Sequence, residues 1–128
     1  MEIKVSVGEV FDKLSILEIK KNKLTDPEKL QNVQKEYDYL NQILESSRIA
    51  DSVKFNHFYN QLLEVNTELW HIEDSKRSCE RIQDFSLTFV LLARQVYIKN
   101  DLRAAIKKEI NTYYRSEFTE EKSYAKYD

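Results

Sequence analysis

An all-α fold is predicted, a bundle of two antiparallel helical hairpins, on three observations. The 128 residues include one glycine and one proline, where average usage gives about nine and six. Tight sheet turns draw on those residues, which argues against a β-sandwich or barrel. Apolar residues recur at 3-and-4 spacing in four successive series, the period of helices with one buried face. Hydrophobic residues are 41% of the chain, enough for a core and against wholesale disorder. The length fits one domain over residues 1–128.

The first helix is expected over 7–24. Ser6 and Glu9 form the S-x-x-E pattern of a capping box. Val7, Val10, Phe11, Leu14 and Leu17 then line one face, and Ile16 and Ile19 widen the stripe towards a second neighbour. Pro27 disfavours helical geometry at Asp26. Asp26 then caps a second helix with Pro27 at its first position, and Leu30, Val33, Tyr37, Leu40 and Leu44 carry it over 27–46. Asp51 or Ser52 is the expected cap of a third helix over 52–82, marked by Phe55, Phe58, Leu62, Val65, Leu69 and Ile72. Gln83-Asp84 is the turn into a fourth over 85–115, built on Phe85, Phe89, Leu92, Val96, Ile106, Ile110 and Tyr113. Asn100-Asp101 offers a cap for a separate helix, but without Gly or Pro one long helix is expected.

Short connections favour antiparallel neighbours, and the second hairpin is the longer. Its overhang requires a cover: the tail 116–128, read as extended, the N-terminal arm Glu2 to Val5, or a second copy of the chain. A homodimer is the expected assembly.

With 20 basic and 22 acidic residues, no large field draws the protein to nucleic acid or acidic membranes. Neither is expected as a partner. The single cysteine, Cys79, has no internal disulfide partner, and the opening MEIKVSVGEV lacks a signal-peptide apolar core. Both point to the cytoplasm.

The anomaly lies where polar residues interrupt the apolar stripes. Beyond Val96 the fourth series passes through Lys99, Asn100, Arg103 and Lys107, and the third ends with Glu73, Lys76 and Glu80. A buried charge costs several kcal/mol unless paired, so partners are expected. Counting from the turn at 83–84 pairs Glu73 with Arg94 and sets Arg103 at the level of Glu64. Counting from Asp26 sets Lys13 level with Asp38. The plain reading is interhelical salt bridges. The sharper one is a pocket for an anionic small molecule, since Arg offers bidentate donors to carboxylate or phosphate. The candidates for either role are Lys13, Glu73, Arg94, Asn100, Arg103 and Lys107.

No catalytic residue, metal site or cofactor is assigned. Glu68 and His71 form one Glu-x-x-His, where a di-iron bundle needs two. His57 and His71 lie 14 residues apart, about 21 Å along a helix, too far to share a metal. Cys79 reads as a small buried hydrophobe, Trp70 as a core-edge or interface residue, and Gly8 alone makes no phosphate loop. Tyr113 and Tyr114 beside Lys107, Lys108 and Arg115 read as a solvated helix end.

The stretch from Val5-Ser6-Val7-Gly8-Glu9 through Asp12-Lys13 to Ile16-Leu17-Glu18-Ile19-Lys20 resembles a small bacterial and phage family catalogued as a domain of unknown function. Leu69-Trp70, Ile72-Glu73-Asp74, Arg77, Arg94, Tyr97, Asn100-Asp101, Arg103 to Lys107 and the close Glu120-Glu121-Lys122-Ser123-Tyr124 are similar too. Phe11 stands where a small aliphatic residue is more usual. The resemblance implies no activity; it adds Tyr97 to the candidates above and singles out Asp12, Glu18 and Lys20 beside them.

The expected function is a small non-catalytic helical binding or assembly module, with a protein partner or a second copy. The alternative is a ligand-binding protein or enzyme with a charged pocket between the helices for a sugar phosphate, nucleotide sugar or carboxylate. A nucleic-acid role ranks third.

Overall fold

The computed structural model describes residues 1–47, 49 and 53–115, and among them four helices occur and no strand. They are α1 (Val7–Lys23), α2 (Pro27–Ser46), α3 (Val53–Arg81) and α4 (Leu87–Tyr113). Asp51, Ser52 and the tail from 116 lie outside the described residues. Residues 1–5 are non-helical and exposed.

Each boundary has a local cause. The Glu9 backbone N–H donates to Ser6 Oγ at 3.2 Å, but the Glu9 carboxylate is turned to Lys107, so only half of the expected box closes α1. Lys20, Lys21 and Lys23 in the last turn of α1 complement its negative end, and Leu24 is already extended ahead of Pro27. Asp26 Oδ1 accepts from the Glu28 N–H at 2.9 Å. The α3–α4 turn contains no glycine. Gln83 takes the left-handed conformation with φ 59°, and the Asp84 N–H donates to the Cys79 carbonyl at 2.8 Å. That six-to-one bond closes the helix end as a Schellman motif. α4 runs unbroken through Asn100-Asp101.

α1 is the hub. At backbone level it packs on α2, α3 and α4, while α2 approaches α1 alone. Phe11, Leu14, Leu44, Phe55, Phe58, Leu62, Val65, Ile106 and Ile110 form the core, each such side chain contributing roughly 1.5–3 kcal/mol on burial. Phe11 is fully buried, edge-on to Phe55 with ring centroids 4.8 Å apart.

The core occupies one end of the molecule. On α4 the buried residues are Ile106, Lys107, Ile110 and Asn111; beyond Asn66, α3 buries only Cys79. With α3 and α4 at 29 and 27 residues against 17 and 20 for α1 and α2, the turn end of the second hairpin stands clear of the core. Ile82 and Leu87 are 73% and 69% exposed there.

Candidate functional site: an inward-facing polar network

Asn100, Arg103, Lys107 and Asn111 follow one another at 3-4-4 spacing, so they share one stripe of α4. α1 lies antiparallel along that stripe and meets it with Gly8, Glu9 and Asp12. Lys107 Nζ stands 2.5 Å from Glu9 Oε1. Arg103 Nε donates to Asp12 Oδ1 at 2.8 Å, and Arg103 Nη2 donates to Asp12 Oδ2. This is the side-on, bidentate pairing that a guanidinium offers a carboxylate. Arg103 Nη1 reaches Asn100 Oδ1 at 3.5 Å.

α3 closes the network with Asn66. Its Nδ2 donates to Asp12 Oδ1 at 2.9 Å and to Ser15 Oγ at 2.8 Å, and Ser15 Oγ donates to the Asp12 carbonyl at 2.7 Å. Asp12, Ser15 and Asn66 are all buried. The Asp12 carboxylate is 4% exposed against 28% for Arg103, so the negative partner is the more deeply desolvated. Three donors compensate it, as a buried charge requires.

At the far end of α1 the Gly8 N–H donates to Asn111 Oδ1 at 2.7 Å. A Cβ at Gly8 would stand 2.7 Å from the Lys107 carbonyl oxygen. The helix backbones thus meet across a residue without a side chain, and that approach brings Asp12 within reach of Arg103. Outside this stripe, Lys99 Nζ meets Glu68 Oε2 of α3 at 2.6 Å.

Of the seven candidate residues, Asn100, Arg103 and Lys107 come together in this network, and Glu73 shares with Arg103 the lining of a cleft beside it; Lys13, Arg94 and Tyr97 stand apart. Lys13 is exposed, 3.6 Å from Glu36, while Asp38 accepts from Gln34 of its own helix. Glu73 meets Lys76 at 3.5 Å instead of Arg94, which is exposed on the outer face of α4. Tyr97 is 47% exposed. Counting from a turn equates height along a hairpin but says nothing of rotation, and Arg94 is rotated away from α3. Arg103 faces Asp12 and not the Glu64 level because α1 occupies the inner side of α4, leaving Glu64 exposed. Gly8, Asp12, Ser15, Asn66 and Asn111 were not assigned from the stripes. Asn66 carried a signal, as a polar residue on the series Leu62, Val65, Leu69.

The family DUF6165, described as a family of unknown function, matches residues 1–127. The chain belongs to the DUF6165 family. No curated protein and no solved structure matches it. In this DUF6165 member the Val5–Lys20 opening supplies one half of the network, through Gly8, Glu9, Asp12 and Ser15, and Asn100 to Asn111 supplies the other.

A cleft of about 720 Å³ opens beside the network, between the C-terminal half of α1 and α3. Ile19, Leu69 and Trp70 give it apolar walls, Asn66 lies in its lining, and its charged residues are of both signs, among them Arg77 and Arg103 with Glu73 and Asp74. Among the described residues no group of three His, Cys, Asp or Glu side chains is placed to hold a metal. His57 and His71 are exposed and Cys79 is buried. No helix among the described residues is long and apolar enough to cross a membrane.

Proposed function

We propose that this chain is a non-catalytic helical binding and assembly module, acting in the cytoplasm as a homodimer, whose inward charges lock its helices together. One observation supports the reading. The inward cations of α4 each have a carboxylate of their own: Arg103 has Asp12, Lys107 has Glu9 and Lys99 has Glu68. A cation poised for an anionic substrate would keep its donors directed at an open site, whereas Nε and Nη2 of Arg103 are already engaged by Asp12.

The second reading, a site for a small anion, draws on the cleft, whose volume lies within the roughly 300–1,000 Å³ of small-molecule sites. A thermal-shift screen against sugar phosphates, nucleotide sugars and dicarboxylates separates the two. A ligand of the native state raises the midpoint by mass action. The module reading expects no saturable rise. A rise that Trp70→Ala and Arg77→Ala each abolish would replace it with the ligand reading.

A further inference from the structure

The most apolar stretch of the chain is among its least buried. Residues 87–98 of α4 read LTFVLLARQVYI, with Arg94 their only charge, and none of them is buried. A helix apolar on all sides is normally enclosed. Phe89, Leu92 and Val96 lie on the face that continues into Arg103, Lys107 and Ile110, the side turned to α1 and α3. Leu87, Leu91, Ile98, Leu102 and Ala105 form a second stripe at 3-and-4 spacing, which at its C-terminal end borders α3, Leu102 beside Glu64 and Glu68 and Ala105 beside Phe58. Leu87, Leu91 and Leu102 are 69%, 48% and 49% exposed.

We infer that this outer stripe of α4 is the seam on which a second copy of the chain docks, antiparallel, about a two-fold axis passing between Tyr97 and Ile98. This deepens the assembly-module reading and rests on it. Three features select another copy of this chain over an unrelated partner.

The first is charge. Arg94 and Asp101 are the charged residues of the stripe between Leu87 and Ala105. They lie seven residues apart, about 10 Å along the axis, too far to pair within one helix. A two-fold axis between Tyr97 and Ile98 sets Arg94 opposite Asp101 of the second copy, and does so twice, as an isologous contact must. The stripe is complementary to itself in one orientation and repels itself in none of the matched positions.

The second is shape. The C-terminal end of the same stripe carries a predominantly apolar hollow of about 440 Å³ lined by Phe58, Ala105, Thr112 and Tyr113, with Lys108 and Glu109 also in its lining. The axis that pairs Arg94 with Asp101 also brings Leu87 of the second copy to the level of Lys108, at this hollow. The most exposed leucine named above and a hollow able to take it sit at opposite ends of one stripe, as antiparallel pairing requires.

The third is support. Among the described residues, the turn end of the second hairpin has two helices and no third to cover them. Two such hairpins packed through α4 make a four-helix arrangement in which each supplies what the other lacks.

Size-exclusion chromatography with light scattering on the full chain at micromolar concentration tests this. The wild type should run at twice the 15.3 kDa chain mass. Leu91→Glu should reduce it to one chain mass with an unchanged helical circular-dichroism spectrum, because Leu91 already faces solvent in the single chain. Arg94→Asp should weaken the dimer by setting aspartate against Asp101, and Arg94→Asp combined with Asp101→Arg should restore it. A wild type at one chain mass overturns the seam, and the stripe then serves another occupant; a module with a different partner survives that result. A wild type at twice the mass whose Leu91→Glu variant and charge swaps leave it unchanged overturns this seam while keeping the dimer. Saturable ligand binding in the cleft would fail the module reading without touching the seam.

Discussion

Gly8 lies against Lys107 so closely that a single methyl group at Gly8 would stand 2.7 Å from the Lys107 carbonyl oxygen and 3.0 Å from Asn111 Oδ1. Gly8 has an ordinary helical backbone, and its φ is not positive. The chain's one glycine is therefore required by the approach of α1 to α4, and the network beside it depends on the same approach.

Gly8→Ala should accordingly destabilise the protein although alanine is the better helix former. The clash is with backbone, which does not rotate aside, and over-packing of this kind costs about 1–3 kcal/mol. Urea unfolding followed by circular dichroism measures the change. A midpoint equal to the wild type's would show that α1 shifts without penalty.

Asp12→Asn should cost about 3 kcal/mol, because it leaves the guanidinium of Arg103 in a partly desolvated place without its counter-charge. Arg103→Lys should also destabilise, since a point charge does not reproduce the two-pronged contact to Oδ1 and Oδ2. Replacing both partners, Asp12→Leu with Arg103→Met, should cost less than the sum of Asp12→Leu and Arg103→Met taken singly. Additivity in that double-mutant cycle would mean that the two residues do not act as a pair.

Asn66→Asp keeps the shape but sets a second carboxylate within hydrogen-bond distance of Asp12 Oδ1. Two carboxylates so placed cannot both ionise cheaply, and one is held protonated to higher pH than usual. For an acid raised in the folded state, stability is present below the ordinary carboxylate pKa and lost as pH rises through the raised value. The variant should be closest to wild type near pH 4 and fall behind towards pH 7. Thermal midpoints across that range check it; a constant deficit would rule out charge repulsion as the cause.

Tyr59 supplies a pH dependence at the alkaline end. Burial, then the neighbouring Glu18 carboxylate and Tyr37, push its hydroxyl well above the ordinary tyrosine value of 10.0. The unfolded chain ionises first, so stability declines as pH rises above about 10. Tyr59→Phe should flatten that decline between pH 9 and pH 11, read from unfolding midpoints. An equally steep decline in the variant would assign the effect to other groups.

Much of the helical framework was legible before any coordinates. The 3-and-4 series set out α1 to α4, the Asp26-Pro27 step separated the first two, and the absence of a breaker at Asn100-Asp101 kept α4 whole. That the polar residues on the α4 stripe need partners was legible too, because charge burial is costly wherever it occurs. The partners were less so. Arg103 and Lys107 reach Asp12 and Glu9 on a helix some ninety residues earlier, and nothing within α3 and α4 announces that α1 will lie across them. Asp12 follows Phe11 in a stretch that reads as an ordinary amphipathic start, and Gly8 offers no pattern at all.

Local periodicity reports which side chains share a face, since that follows from 3.6 residues per turn and from nothing else in the chain. It therefore determined the four helices, their pairing into unequal hairpins and the existence of an inward polar stripe on α4. Which helix fills each face depends on how the hairpins dock, a balance of burial and backbone approach summed over the whole molecule. Only the tertiary structure decided that α1 is the hub, that Asp12 holds Arg103, and that none of the other described helices buries the outer stripe of α4.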